Sequence, residues 1–230
     1  MRTTFFLAAM FVSIPTVMAA IPRAMPTVNV HEILSLPADN RLQAAITMGD
    51  QVSPELLKIV AAESETLESR WKSVTLYAAL KKEASIPMLA QWAKSPQWFL
   101  RNASLVAART VSAEKAHDIA LQLLQDKALV VRSAAVDVLS EDLKAEDRKT
   151  LWKEFSASYN FHRKQSLWIR GQILKTLASA PERNEKSNFA LALEDKDSRV
   201  YAQAVQALEK ITKLKLGDNL QIKNKVKIED

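Results

Sequence analysis

The chain has 230 residues, of which 48 % are hydrophobic and 25 % charged, and a formal net charge of +6. That suffices for one large domain or a short repeat array with a sizeable core. With 3 glycines and no cysteine, the composition excludes disulfides, thiolate metal sites, a thiol nucleophile, a lipid-anchoring cysteine and a glycine-rich phosphate loop.

Residues 1–20, MRTTFFLAAMFVSIPTVMAA, have the pattern of a secretory signal: Arg2, an apolar run from Phe5 to Ile14, the break at Pro15, and small residues near Ala19 and Ala20. The run is shorter than the roughly 20 residues a membrane span needs. Cleavage near Ala19 or Ala20 and a periplasmic or secreted product are expected, with no span elsewhere. Residues 21–37 contain Pro22, Pro26 and Pro37. An extended lead-in with one short helical turn is predicted there.

From residue 38 to 213 the chain is internally repetitive. The segments WKSVTLYAAL, LRNASLVAAR, VRSAAVDVLS, IRGQILKTLA and VYAQAVQALE align on Lys72, Arg101, Arg132, Arg170 and Tyr201, with spacings of 29, 31, 38 and 31 residues. Relative to that column, offsets −1, +3, +4 and +7 are mostly apolar and fall on one helical face. Leu76, Leu105, Val136, Leu174 and Val205 fill the +4 column. A second amphipathic segment precedes each: SPELLKIVAAES, ASIPMLAQWAKS, SAEKAHDIALQLLQD, LKAEDRKTLWKEF and PERNEKSNFALALED. Ser53-Pro54-Glu55 predicts a capped helix start. The unit is helix, turn, helix of about thirty residues, and NRLQAAITM opens a degenerate sixth copy.

The 38-residue interval holds an insertion, FSASYNFHRKQSLWIRG, with Phe161, His162, Arg163, Lys164 and Trp168 close together. It reads either as a longer helix with an inert loop or as a protruding contact surface, since aromatic residues and arginine dominate binding hot spots. Residues 214–230 are lysine-rich and extended, with Gly217-Asp218-Asn219 offering a small hairpin, or form a disordered basic tail. His31, His117 and His162 are scattered without metal-ligand spacing, and no catalytic constellation stands out. Trp71, Trp92 and Trp152 fall on apolar helix faces and are predicted in the core.

The repeats resemble the HEAT-repeat family, especially the short HEAT-like repeats also found in phycobilin lyase subunits, and VVRSAAVDVL is the best copy of that family's VRxxAxxxL helix. The resemblance implies an all-α fold, a right-handed α-solenoid of five to six two-helix repeats. It also implies a structural role for Arg101, Arg132 and Arg170 at repeat junctions, tied to a loop acid six residues earlier. Asp126 matches for Arg132, whereas Ser95 and Lys164 replace the acid before Arg101 and Arg170, which argues against a continuous ion ladder.

In such arrays the second helices line the concave face. Their outward positions are +1 (Ser73, Asn102, Ser133, Gly171, Ala202) and +5 (Tyr77, Val106, Asp137, Lys175, Gln206). This small, mixed, nearly neutral face is unsuited to tracking phosphates, so no nucleic-acid partner is expected. The implied function is an exported, non-enzymatic scaffold without a cofactor. It would bind a protein or peptide through Tyr77, Asn102, Asp137, Lys175 and Gln206, or through the insertion residues Phe161, His162, Arg163 and Trp168. One alternative is a HEAT-like enzyme such as an alkylpurine DNA glycosylase or a bilin-lyase-type subunit. Another is a peripheral envelope protein whose basic tail makes weak contact with an anionic surface.

Overall fold

The computed structural model describes residues 29–216. The proposed signal, most of the lead-in and the Gly217-Asp218-Asn219 turn lie outside them. The described chain is all-α apart from one two-residue strand pair. Its helices are α1 (Val30–Ser35), α2 (Ala38–Met48), α3 (Val52–Ala61), α4 (Leu67–Lys81), α5 (Ile86–Trp92), α6 (Trp98–Val111), α7 (Ala113–Leu123), α8 (Leu129–Glu141), α9 (Ala145–Ser156), α10 (Trp168–Ser179), α11 (Lys186–Ala192) and α12 (Ser198–Thr212).

From α3 onward the helices pair in chain order: α3 with α4, α5 with α6, α7 with α8, α9 with α10, and α11 with α12. The second member of each pair also packs on the next one, α4 on α6, α6 on α8, α8 on α10 and α10 on α12. The reason lies in the apolar periodicity. Leu105, Val136 and Leu174 at +4, with Ser104, Ala135 and Ile173 at +3, are fully buried, and one pair alone cannot cover that face. The small residues Ala103, Ser104, Ala107 and Ala108 of α6 let neighbouring helices approach closely. Ser104, buried among apolar groups, donates its hydroxyl to the Leu89 carbonyl at 2.7 Å, as a buried polar group must.

Three sequence expectations change. First, α4 is out of register with the alignment by two residues. Arg70, Ser73, Val74 and Ala78 are buried toward the array and Leu76 is buried as expected, in a separate cluster, while Trp71 and Ala79 are half-buried. Arg70, not Lys72, stands in the arginine column, and the first spacing becomes 31 residues. Second, α3 begins at Val52 after a short 3-10 turn over Gly49–Gln51, so Ser53 lies inside the helix and does not cap it. Gly49 permits this break with φ +76°, a conformation costly for other residues. Third, the short helical turn expected in the lead-in is present as α1, but it is packed into the body: Val30, Ile33 and Leu34 are buried with Val52, Leu56, Ile59 and Leu76 in a small second core. The remaining buried apolar residues form one cluster running from α3 to Leu216.

Candidate interaction site

The turn between the two helices of a pair is built the same way three times. The side chains of Ser95, Asp126 and Asp195 each accept the backbone N–H two residues on, from Gln97, Ala128 and Asp197. Such side-chain turns are favoured by Ser, Asp and Asn. The chain then enters the second helix, whose first turn carries the arginine.

Each arginine reaches forward to the turn of the following pair. Arg70 donates to the Val60 carbonyl at 2.9 Å and to Gln97 Oε1 at 2.7 Å. Arg101 donates to both Asp126 carboxylate oxygens and to the Ser95 and Pro96 carbonyls. Arg132 donates to the Asp126 and Lys127 carbonyls behind it, and to Asn160 Oδ1 and the Tyr159 carbonyl ahead. Arg170 donates to the Phe155 carbonyl, Ser166 Oγ and Asp195. The sequence pairing of Asp126 with Arg132 is therefore corrected: the Asp126 carboxylate belongs to Arg101, 25 residues back, and Arg132 takes only its main-chain oxygen. No continuous ion ladder forms, as expected: only Arg101 and Arg170 pair with acids, while the neutral amides of Gln97 and Asn160 accept from Arg70 and Arg132, so what continues along the array is a ladder of hydrogen bonds.

Aromatic rings cover three of these guanidinium groups. Phe99 lies 4.9 Å from Arg70 and Tyr159 5.1 Å from Arg132, while Phe155 and Phe161 sandwich Arg170 at 4.1 and 4.0 Å. Cation–π contact strengthens as water is excluded. Burial raises the Asp126 pKa, but hydrogen bonds from Arg101 and the Ala128 N–H, with the charges of Arg101 and Arg132, hold it below the ordinary carboxylate range. Burial and the bond to Glu154 push the Tyr159 hydroxyl up to about 12.

A second set of buried polar contacts joins the first helices. His117 Nε2 meets Asp147 Oδ2 at 2.8 Å between α7 and α9. Arg148 of α9 donates to both oxygens of Glu185, just before α11, and to the Leu177 carbonyl, and Trp152 Nε1 donates to Glu185 at 2.8 Å. Burial raises the Glu185 pKa, but the bonds from Arg148, the Glu182 N–H and Trp152 hold it below the ordinary range. None of these pairs was predicted, because their partners are 29 to 37 residues apart.

The insertion is a β-hairpin. β1 (Phe161–His162) pairs antiparallel with β2 (Gln165–Ser166), and its two-residue turn holds Arg163 at φ 48° and Lys164 at φ 67°. A turn with positive φ at both positions normally takes Asn-Gly, so no sequence signal announced it. Phe161 points inward onto Arg170, while His162, Arg163 and Lys164 are exposed. Cavities of about 680 and 380 Å³ flank the hairpin, the first lined by Phe161, Lys164, Lys196 and Arg199, the second by Trp152, Phe155, Phe161 and Leu191.

The remaining predicted residues do not gather into one open face. Tyr77 is half-buried, edge-on to Trp92 at 5.7 Å, and touches both cores. Asn102 is half-buried, and Asp137, Lys175 and Gln206 are exposed. Gln172 of α10 bonds Asp137 and Ser133 of α8, closing part of the expected groove. Gly171 is buried: an added Cβ would stand 3.4 Å from Arg199 Cβ, so it faces α12. Trp168 is exposed and donates to Ser133 Oγ at 3.3 Å. Trp92 is buried in the main core, with Trp71 and Trp152 packed half-buried against it. Among the described residues no group of His, Asp and Glu is arranged to hold a metal ion, and no helix is long and apolar enough to cross a membrane. No family model matches the chain, and no curated protein matches it in sequence.

Proposed function

We propose that this chain is an exported, non-enzymatic helical-repeat scaffold that binds a protein or peptide. In this reading it is a right-handed HEAT-like α-solenoid of five to six units. The observation that carries it is the forward clasp, in which the first-turn arginine of one pair is bound by the turn of the next, from Arg70 to Asp195. Clasping fixes neighbouring units at a set distance and turns a row of short helices into a continuous surface. Long continuous surfaces are what repeat arrays use for recognition. The export signal supports a role outside the cytoplasm.

Crosslinking in the native host tests the proposal. A photoreactive residue at Asn102, or one at His162, should give a discrete adduct with a protein or peptide. If neither does, and the purified chain shows enzymatic turnover instead, the scaffold reading fails.

A further inference from the structure

The turns that the arginines tie together carry a second pattern. Acids on this edge are neutralised: Asp126 by Arg101, Asp195 by Arg170 and Asp197 by Arg199. The lysines are not. Lys94, Lys127, Lys164 and Lys196 are exposed, one turn after another, and their ammonium groups engage no acid among the described residues. Exposed apolar side chains stand at the starts of the second helices beside them: Leu67 (54 %), Trp98 (46 %), Val130 (44 %) and Trp168 (48 %).

Recesses on this edge set lysines beside apolar side chains, between successive turns in two cases and against α5 in the third. One of about 660 Å³ is lined by Lys94, Trp92 and Pro96. The next, about 510 Å³, shares Pro96 and brings Lys127 beside Trp98 and Leu67. The hairpin cavity, about 680 Å³, sets Lys164 and Lys196 against Phe161, with Glu194 at its rim. Arg132 joins the second to the third by bonding both the Lys127 and Tyr159 carbonyls. The α3–α4 turn carries no lysine; Glu63, Glu65 and Glu68 stand there, with Glu65 meeting His31 and Glu68 paired with Lys72.

We propose that this turn edge, rather than the second-helix face, binds an extended acidic peptide segment carrying an apolar residue at about every third position. The proposal rests on the scaffold reading and names its partner. Packed helices are about 8–10 Å apart, and an extended chain advances about 3.3 Å per residue. One turn of the array therefore matches three peptide residues. An apolar side chain enters each recess, and the acids between meet the free lysines. The α3–α4 turn offers no lysine, so the track ends there. A bilayer would touch only the protruding groups and leave the recesses unfilled.

The test uses the purified chain and a fluorescein-labelled peptide of six Leu-Asp-Glu triplets. Anisotropy should show binding that weakens with salt. Lys127→Glu with Lys164→Glu should weaken it by at least about tenfold, with an unchanged circular dichroism spectrum. Lys175→Glu, on the second-helix face, should leave affinity unchanged. A peptide of Leu-Lys-Lys triplets should not bind. Equal loss with Lys175→Glu overturns the edge and keeps the scaffold. No binding of the acidic peptide overturns the edge as well, and the native-host adducts then decide the scaffold separately. Lys127-dependent sedimentation with phosphatidylglycerol vesicles, or displacement of the peptide by a DNA duplex at equal charge, also overturns the proposal by naming a membrane or a nucleic acid.

Discussion

Asp126 shows how one side chain can hold two repeat units. Its carboxylate caps its own turn through the Ala128 N–H and takes both branches of Arg101 from the preceding unit, with only 4 % of the side chain exposed. Removing one partner of a buried pair leaves an uncompensated charge. Asp126→Ala should therefore destabilise by about 3 kcal/mol, the low end of the usual cost, because Arg101 keeps the Ser95 and Pro96 carbonyls. Urea unfolding checks this. The same physics fixes the acid side of the pH profile. Asp126 and Glu185 have folded-state pKa values below their unfolded ones, so their stabilisation is complete above roughly pH 4 and is lost as pH falls through the depressed values. The urea midpoint should drop below about pH 4, and Asp126→Asn with Glu185→Gln should flatten that drop. The sequence exposed the arginine column but not the direction of its bonds. Asp126 and Arg132 are six residues apart and look like partners, whereas the true contact spans 25 residues and leaves no local trace.

At the scale of elements, α6, α8, α10 and α12 were legible because their apolar offsets repeat in phase. The register of α4 was not, because Trp71-Lys72 mimics the apolar-basic pair of the other copies while Ser69-Arg70 fills the position. The hairpin was hidden for a different reason: its turn uses Arg163-Lys164 where the backbone favours Asn-Gly. Positive φ at ordinary residues costs about 1–2 kcal/mol each. Lys164→Gly should therefore stabilise the protein by about 1 kcal/mol in thermal or urea unfolding, while weakening acidic-peptide binding through loss of a free cation. A destabilised variant would show that the turn is not held in that conformation. Leu105, fully buried at the centre of α6, should cost about 2–5 kcal/mol when changed to alanine, measurable in the same assay.

Across the whole molecule the core is divided. α1 to α3 share a small cluster with Leu76, and the rest forms the large cluster, with Tyr77 touching both. Every tryptophan, from Trp71 to Trp168, lies in the part of the chain that builds the large one. Fluorescence therefore reports chiefly the large cluster, while far-ultraviolet circular dichroism reports both. The small cluster has less apolar area to hold it, so ellipticity should begin to fall at lower urea than tryptophan emission. Superimposable curves would mean the two cores unfold together.

The clasps all point the same way along the chain, and this asymmetry bears on biogenesis. A guanidinium near the start of one unit keeps its bonds to earlier carbonyls, but its forward bonds stay unmade until the following turn has left the ribosome. At common elongation rates that wait is about 2–6 s per unit of roughly thirty residues. Closure must therefore travel from the amino end toward the carboxyl end, each newly emerged turn locking the helix pair made just before it.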